Sequence, residues 1–129
     1  MSYKLICIDV DGTLLGENGI IPEENILAIE QAYKKGVQVV ISTGRIYSNA
    51  VQIAKRIKVK SPVIAANGAV VKDWYSGKTI FHASFKRDEY EKLLELLSKY
   101  KLVAHFYTMD RVIAYSCLLY TSDAADEAR

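Results

Sequence analysis

Apolar and polar residues fall in blocks along this chain, and the period of each block predicts an element. Leu5-Ile6-Cys7-Ile8 is an unbroken apolar run closed by Asp9. A short run of that kind, bounded by polar turn residues, predicts a strand over residues 3–9 that is buried on both faces. Pro22 opens the next block, with Glu23 and Glu24 placed where acidic side chains complement a helix dipole. Ile26, Ile29 and Tyr33 recur on one face, Lys34 and Lys35 occupy the last turn, and Gly36 ends it. Residues 37–42 predict a second buried strand. A second helix follows over about 48–58, with Val51, Ala54 and Ile57 turned inward. Pro62 precedes a third strand, 63–66. The order βαβαβ implies right-handed crossovers and a parallel sheet.

The texture then changes. Residues 69–74 and 78–82 read as a hairpin about Ser76-Gly77. Residues 87–100 predict a helix with Tyr90, Leu93, Leu94 and Leu97 on one face, and 102–107 and 112–115 predict two further strands. This βαββ-like stretch reads as the opening of another module. The turn-rich Gly16-Glu17-Asn18-Gly19 predicts a small flap after the first strand.

Composition narrows the class. The chain has 129 residues, 50% hydrophobic and 25% charged, which suits a soluble globular protein with a real core. A formal charge of +2 is too small to imply nucleic-acid or membrane binding. No apolar run approaches the ~20 residues of a membrane-spanning helix, and Asp9 comes too early for a secretory signal peptide. Two cysteines make no disulfide framework, and Cys7 reads as a small buried hydrophobe. Cytoplasmic residence is the default expectation.

The candidate chemistry sits at strand ends. Asp9 and Asp11 are spaced i, i+2, so they project together from the carboxyl end of the first strand. In open α/β sheets ligands bind at that edge. Two carboxylates there form a hard-oxygen site suited to magnesium. Gly12 lets the chain turn sharply and bare its amides toward an anion. The second strand ends in Ser42-Thr43-Gly44-Arg45. These hydroxyls could simply cap the following helix. With Asp9 and Asp11 at the same edge, binding of a phosphate by Thr43, Gly44 and the Arg45 fork is the preferred reading. Asn67-Gly68, at the end of the third strand, suits a turn or a substrate contact equally. His82 and His105 read as ordinary strand histidines.

Asp9-Val10-Asp11-Gly12-Thr13-Leu14 resembles the first motif of the haloacid dehalogenase-like (HAD) hydrolases, and Val39-Val40-Ile41-Ser42-Thr43-Gly44-Arg45 resembles their second. Ala66-Asn67-Gly68-Ala69, followed by a hairpin leading into an αβ module, is similar to the Cof-type branch, subfamily IIB. The resemblance implies an α/β fold: a Rossmann-like parallel sheet (an incomplete HAD core) followed by the start of an α+β cap domain. Residues 1–82 would be the N-terminal part of the core and 83–116 the beginning of the cap.

The resemblance also implies a mechanism. Asp9 would be the nucleophile that forms an aspartyl-phosphate, and Asp11 the acid and base. Mg2+ would be held by the Asp9 carboxylate and the Asp11 backbone carbonyl. Gly12, Thr13, Thr43, Gly44, Arg45 and Asn67 would bind the phosphate and substrate. The expected partner is a small phosphorylated metabolite, such as a sugar phosphate, with neither nucleic acid nor membrane involved. A phosphomutase or phosphotransferase of the same superfamily is one alternative. A non-catalytic metal-binding α/β module is another.

The family also uses a lysine and an acidic motif, commonly Gly-Asp-x-x-Asn-Asp, that follow the cap in this branch. Nothing in the chain matches either. The chain is therefore expected to be an inactive N-terminal part of a longer protein, with an open sheet edge and uncovered apolar faces. Residues 117–129 resemble the in-frame translation of a transposase-end sequencing adapter; the alternative is a genuine apolar strand with an acidic tail.

Overall fold

A computed structural model describes residues 3–16 and 18–116. Met1, Ser2, Glu17 of the predicted flap and the adapter-like residues 117–129 lie outside the described residues. The elements are β1 (Leu5–Ile8), α1 (Glu23–Lys34), β2 (Gln38–Ser42), α2 (Tyr47–Arg56), β3 (Pro62–Ala65), β4 (Val70–Asp73), β5 (Thr79–His82), α3 (Arg87–Lys99), β6 (Val103–Tyr107) and β7 (Val112–Ser116). They form two compact units, residues 1–83 with 109–111, and 84–108 with the residues from 112 onward.

In the first unit the sheet order is β1-β2-β3-β4-β5. β1, β2 and β3 run parallel, as the βαβαβ order implies. β4 and β5 then add antiparallel to the same sheet, so the sheet is mixed. Successive crossovers in one direction place both helices on one face. The register agrees: Ile41 lies opposite Ile8 and Val63, so these side chains share a face. Val39, Ile41, Val63 and Ala65 of the strands form one core with Ile29 of α1 and Ala50, Ile53 and Ala54 of α2. Full burial of an Ile or Val side chain contributes on the order of 1.5–3 kcal/mol, so this layer contributes substantially to the unit's stability.

Two expectations of burial are corrected here. β1 was expected to be buried on both faces, yet Leu5 is 54% exposed, Ile6 37% exposed, and Cys7 is exposed rather than buried. Among the described residues β1 is an edge strand with β2 as its neighbour, and α1 and α2 cover one face of the sheet only. Likewise, Tyr33 stays 40% exposed although it follows the apolar period of α1, and Val51 is only half-buried while Ala50 and Ile53 are buried. Trp74 packs against the core and donates its indole N–H to the Val59 carbonyl at 3.1 Å.

In the second unit α3 is followed by the antiparallel pair β6–β7. Leu97 is buried, and Tyr90 meets Phe106 edge to face at 5.1 Å between centroids. Among the described residues no helix is long and apolar enough to cross a membrane.

Candidate active site

Three loops converge at the carboxyl ends of β1, β2 and β3. The first is a tight turn over residues 10–14, closed by the Leu14 N–H on the Asp9 carbonyl (3.2 Å) and the Leu15 N–H on the Val10 carbonyl (3.0 Å). Val10 and Leu14 are buried and pin the turn to the core. Asp9, Asp11 and Thr13 therefore stay on the outside, where they are exposed. Gly12 adopts φ +78°, which only glycine takes without strain. The Thr13 hydroxyl donates to Asp9 Oδ2 at 3.2 Å, so the turn orients its own first carboxylate.

The second loop leaves β2. Ile8 lies opposite Ile41, so Asp9 and Ser42 leave the sheet side by side. Thr43 is buried, its N–H bonds to the Ile64 carbonyl at 3.0 Å, and its hydroxyl accepts the Arg45 N–H at 3.2 Å. That hydroxyl keeps its own hydrogen as a donor. Helix capping by Ser42 or Thr43 does not occur: α2 begins at Tyr47, and Ile46 is its N-cap with no side-chain bond. The helix begins within one residue of its predicted start, and its Ser48 N–H is taken by the Met109 carbonyl at 2.9 Å.

The third loop follows β3 and is left-handed throughout, with φ of +50°, +54° and +92° at Ala66, Asn67 and Gly68. Left-handed backbone costs a residue with a side chain about 1–2 kcal/mol. The conformation is held by the Ala66 N–H on the Arg45 carbonyl (2.9 Å) and the Asn67 N–H on the Thr43 carbonyl (3.2 Å). The Asn67 side chain lies over Gly44, where a Cβ would come within 2.9 Å of Asn67 Oδ1. Gly44 thus serves close approach, whereas Gly12 serves backbone conformation.

Arg45 closes the site. Its Nε donates to Asp11 Oδ2 at 2.9 Å and a terminal nitrogen to Oδ1 at 2.6 Å. This bidentate fork holds the Asp11 carboxyl below the usual carboxylate range, against the opposing effect of desolvation, and raises the Arg45 guanidinium in turn. The side chains are 37% and 59% exposed, so the pair orients more than it stabilises. The fork, the Thr13–Asp9 bond and the Asn67–Gly44 approach are features the sequence reading did not anticipate. The Arg45–Asp11 partnership joins residues on different loops, and no local spacing signals it.

The donors suit a divalent metal in kind but not in number. Asp9 offers a hard carboxylate, while both Asp11 side-chain oxygens are engaged by Arg45, leaving Asp11 its backbone carbonyl for such a role. Among the described residues no three His, Cys, Asp or Glu side chains gather to hold a metal.

A model of the haloacid dehalogenase-like hydrolase family matches residues 6–127. The chain is 49% identical over 73 residues to 5-amino-6-(5-phospho-D-ribitylamino)uracil phosphatase YcsE of Bacillus subtilis, a match covering 57% of this chain and 29% of that protein. A haloacid dehalogenase-like hydrolase structure from B. subtilis superposes with a TM-score of 0.72 at 34% identity, covering 85% of this chain and 38% of that one. The subclass IIB sugar phosphatase BT4131 gives a TM-score of 0.68 at 26% identity, covering 87% and 44%. The chain thus spans less than half the length of these relatives. With two aspartates on a pinned turn beside the Thr43-Gly44-Arg45 loop, and a family match over nearly its whole length, the chain belongs to the haloacid dehalogenase-like hydrolases.

Proposed function

We propose that this chain is the N-terminal part of a longer magnesium-dependent phosphatase that hydrolyses small phosphorylated metabolites through an aspartyl-phosphate on Asp9. Residues 1–82 would contribute to the core and 83–116 would begin the cap. One observation carries the reading: Asp9, Asp11 and Thr43 lie at the carboxyl ends of the adjacent parallel strands β1 and β2, Asp9 held by Thr13 and both Asp11 and the Thr43 hydroxyl held by Arg45. The names of the relatives support a phosphorylated sugar or polyol as the substrate class.

Asp9 attacks phosphorus, and the bond from phosphorus to the leaving oxygen breaks. Asp11, once protonated, gives its proton to that oxygen. A water then attacks the phosphorus of the aspartyl-phosphate, Asp11 takes the water's proton, and Asp9 is released as carboxylate. The ionised Asp11 held by Arg45 is the form this second step needs. Thr43 and the amides of the Gly12 turn would donate to phosphoryl oxygens, while the Thr13 hydroxyl is engaged with Asp9 Oδ2. The Gly44 loop, with Asn67 over it, lies against the substrate. Magnesium, when bound to the Asp9 carboxylate and the Asp11 backbone carbonyl, would offset repulsion between the anionic nucleophile and the anionic phosphate. The longer protein carrying Asp9→Asn should lose turnover of a sugar phosphate by several orders of magnitude while keeping its fold; turnover near the wild-type rate would remove Asp9 as nucleophile.

A further inference from the structure

We propose that Arg45 is a positioning residue that serves turnover through Asp11, by fixing the carboxylate that carries the proton, and not by gripping the substrate's phosphate. This inference rests on the phosphatase reading above and assigns a role within that site.

The geometry is specific. Both Asp11 oxygens are engaged, one by Nε and one by a terminal nitrogen, at 2.9 and 2.6 Å. The same edge of the guanidinium cannot hold a phosphate in the same bidentate way without releasing Asp11. Asp11 sits on an exposed turn next to Gly12, and Arg45 is its only side-chain partner among the described residues. Without the fork, nothing in the turn sets its χ angles, in contrast to Asp9, which Thr13 holds.

Arg45 is itself well anchored. Its N–H bonds to the Thr43 hydroxyl, and its carbonyl accepts the Ala66 N–H. The left-handed loop after β3 thus braces Arg45, and Arg45 braces Asp11. The chain of contacts fixes the proton carrier at the end of β1 from the ends of β2 and β3. A lysine would keep the charge but present a single point donor in place of the planar fork.

The test is a double-mutant cycle in the longer protein, read as kcat and KM on a sugar phosphate, with Arg45→Ala, Arg45→Lys, Asp11→Asn and the paired variants. Misplacing a catalytic group costs up to about a hundredfold. The expectation is a fall in kcat of about ten- to a hundredfold for both Arg45 variants, with KM changed by less than about threefold. In the Asp11→Asn background, replacing Arg45 should cost less than about twofold more, because its partner is already gone. If Arg45→Ala fails to fold, Arg45→Lys carries the cycle. Losses that multiply in the paired variant, or a large rise in KM with kcat retained, would overturn the proposal and assign Arg45 to the substrate. A wild-type protein that turns over no phosphate monoester would overturn the phosphatase reading and this role together, so the two failures are told apart.

Discussion

Two glycines of the site are glycine for different physical reasons, and substitution separates them. At Gly12 a Cβ would meet nothing within 4 Å, but φ is +78°. Gly12→Ala should therefore cost about 1 kcal/mol of stability through backbone strain alone, measurable by urea unfolding of the longer protein. At Gly44 the backbone is ordinary, but the added methyl would press on Asn67 Oδ1. Because that atom ends a rotatable side chain, Gly44→Ala should displace Asn67 and lower activity with a smaller stability loss. Equal stability losses in the two variants would contradict this division. At this scale the outward placement of Asp9 and Asp11 was legible. The i, i+2 spacing of Asp9 and Asp11 places both outside because Val10 and Leu14 must go in. The Arg45 fork was not legible, since nothing local to Asp11 names its partner.

Elements were legible wherever period and punctuation agreed. Glu23–Lys34 starts after Pro22 and stops before Gly36, and the hairpin turns about Ser76-Gly77 as its residues suggest. Burial was harder to read, because it depends on what lies beside an element and not on the element itself. The apolar run of β1 has the composition of a central strand, yet it is an edge strand among the described residues. Leu5 and Cys7 alternate away from the face that α1 and α2 cover. Cys7 is a probe of this. In residues 1–129 alone its thiol should react with a small disulfide reagent as fast as a free cysteine. In the longer protein it should react at least about a hundredfold more slowly, protected by the added layer. Equal rates in both would mean that β1 stays at an open edge.

At the scale of the whole molecule, the first unit has a helical layer on one sheet face and exposed apolar residues on β1, with Leu5 at 54% and Ile6 at 37%. A groove of about 310 Å³ beside β1, lined by Ile6, Ile8, Leu14, Ile29 and Val39, adds to that apolar surface. An open parallel edge and an uncovered face favour association over a unique monomer. Residues 1–129 expressed alone should be poorly soluble or bind a hydrophobic dye and unfold without a sharp transition. A monomer with a cooperative transition would contradict this.

The central claim is that Asp9 becomes phosphorylated during turnover. Its most direct test is a single turnover of the longer protein with a phosphorylated sugar and magnesium, quenched in acid, reduced with borohydride and mapped by peptide mass spectrometry. The account predicts that the carboxylate of Asp9, and of no other residue, is recovered as the reduced alcohol, and that omission of substrate abolishes the product. Phosphate release with Asp9 unreduced, or with another residue reduced in its place, would contradict it.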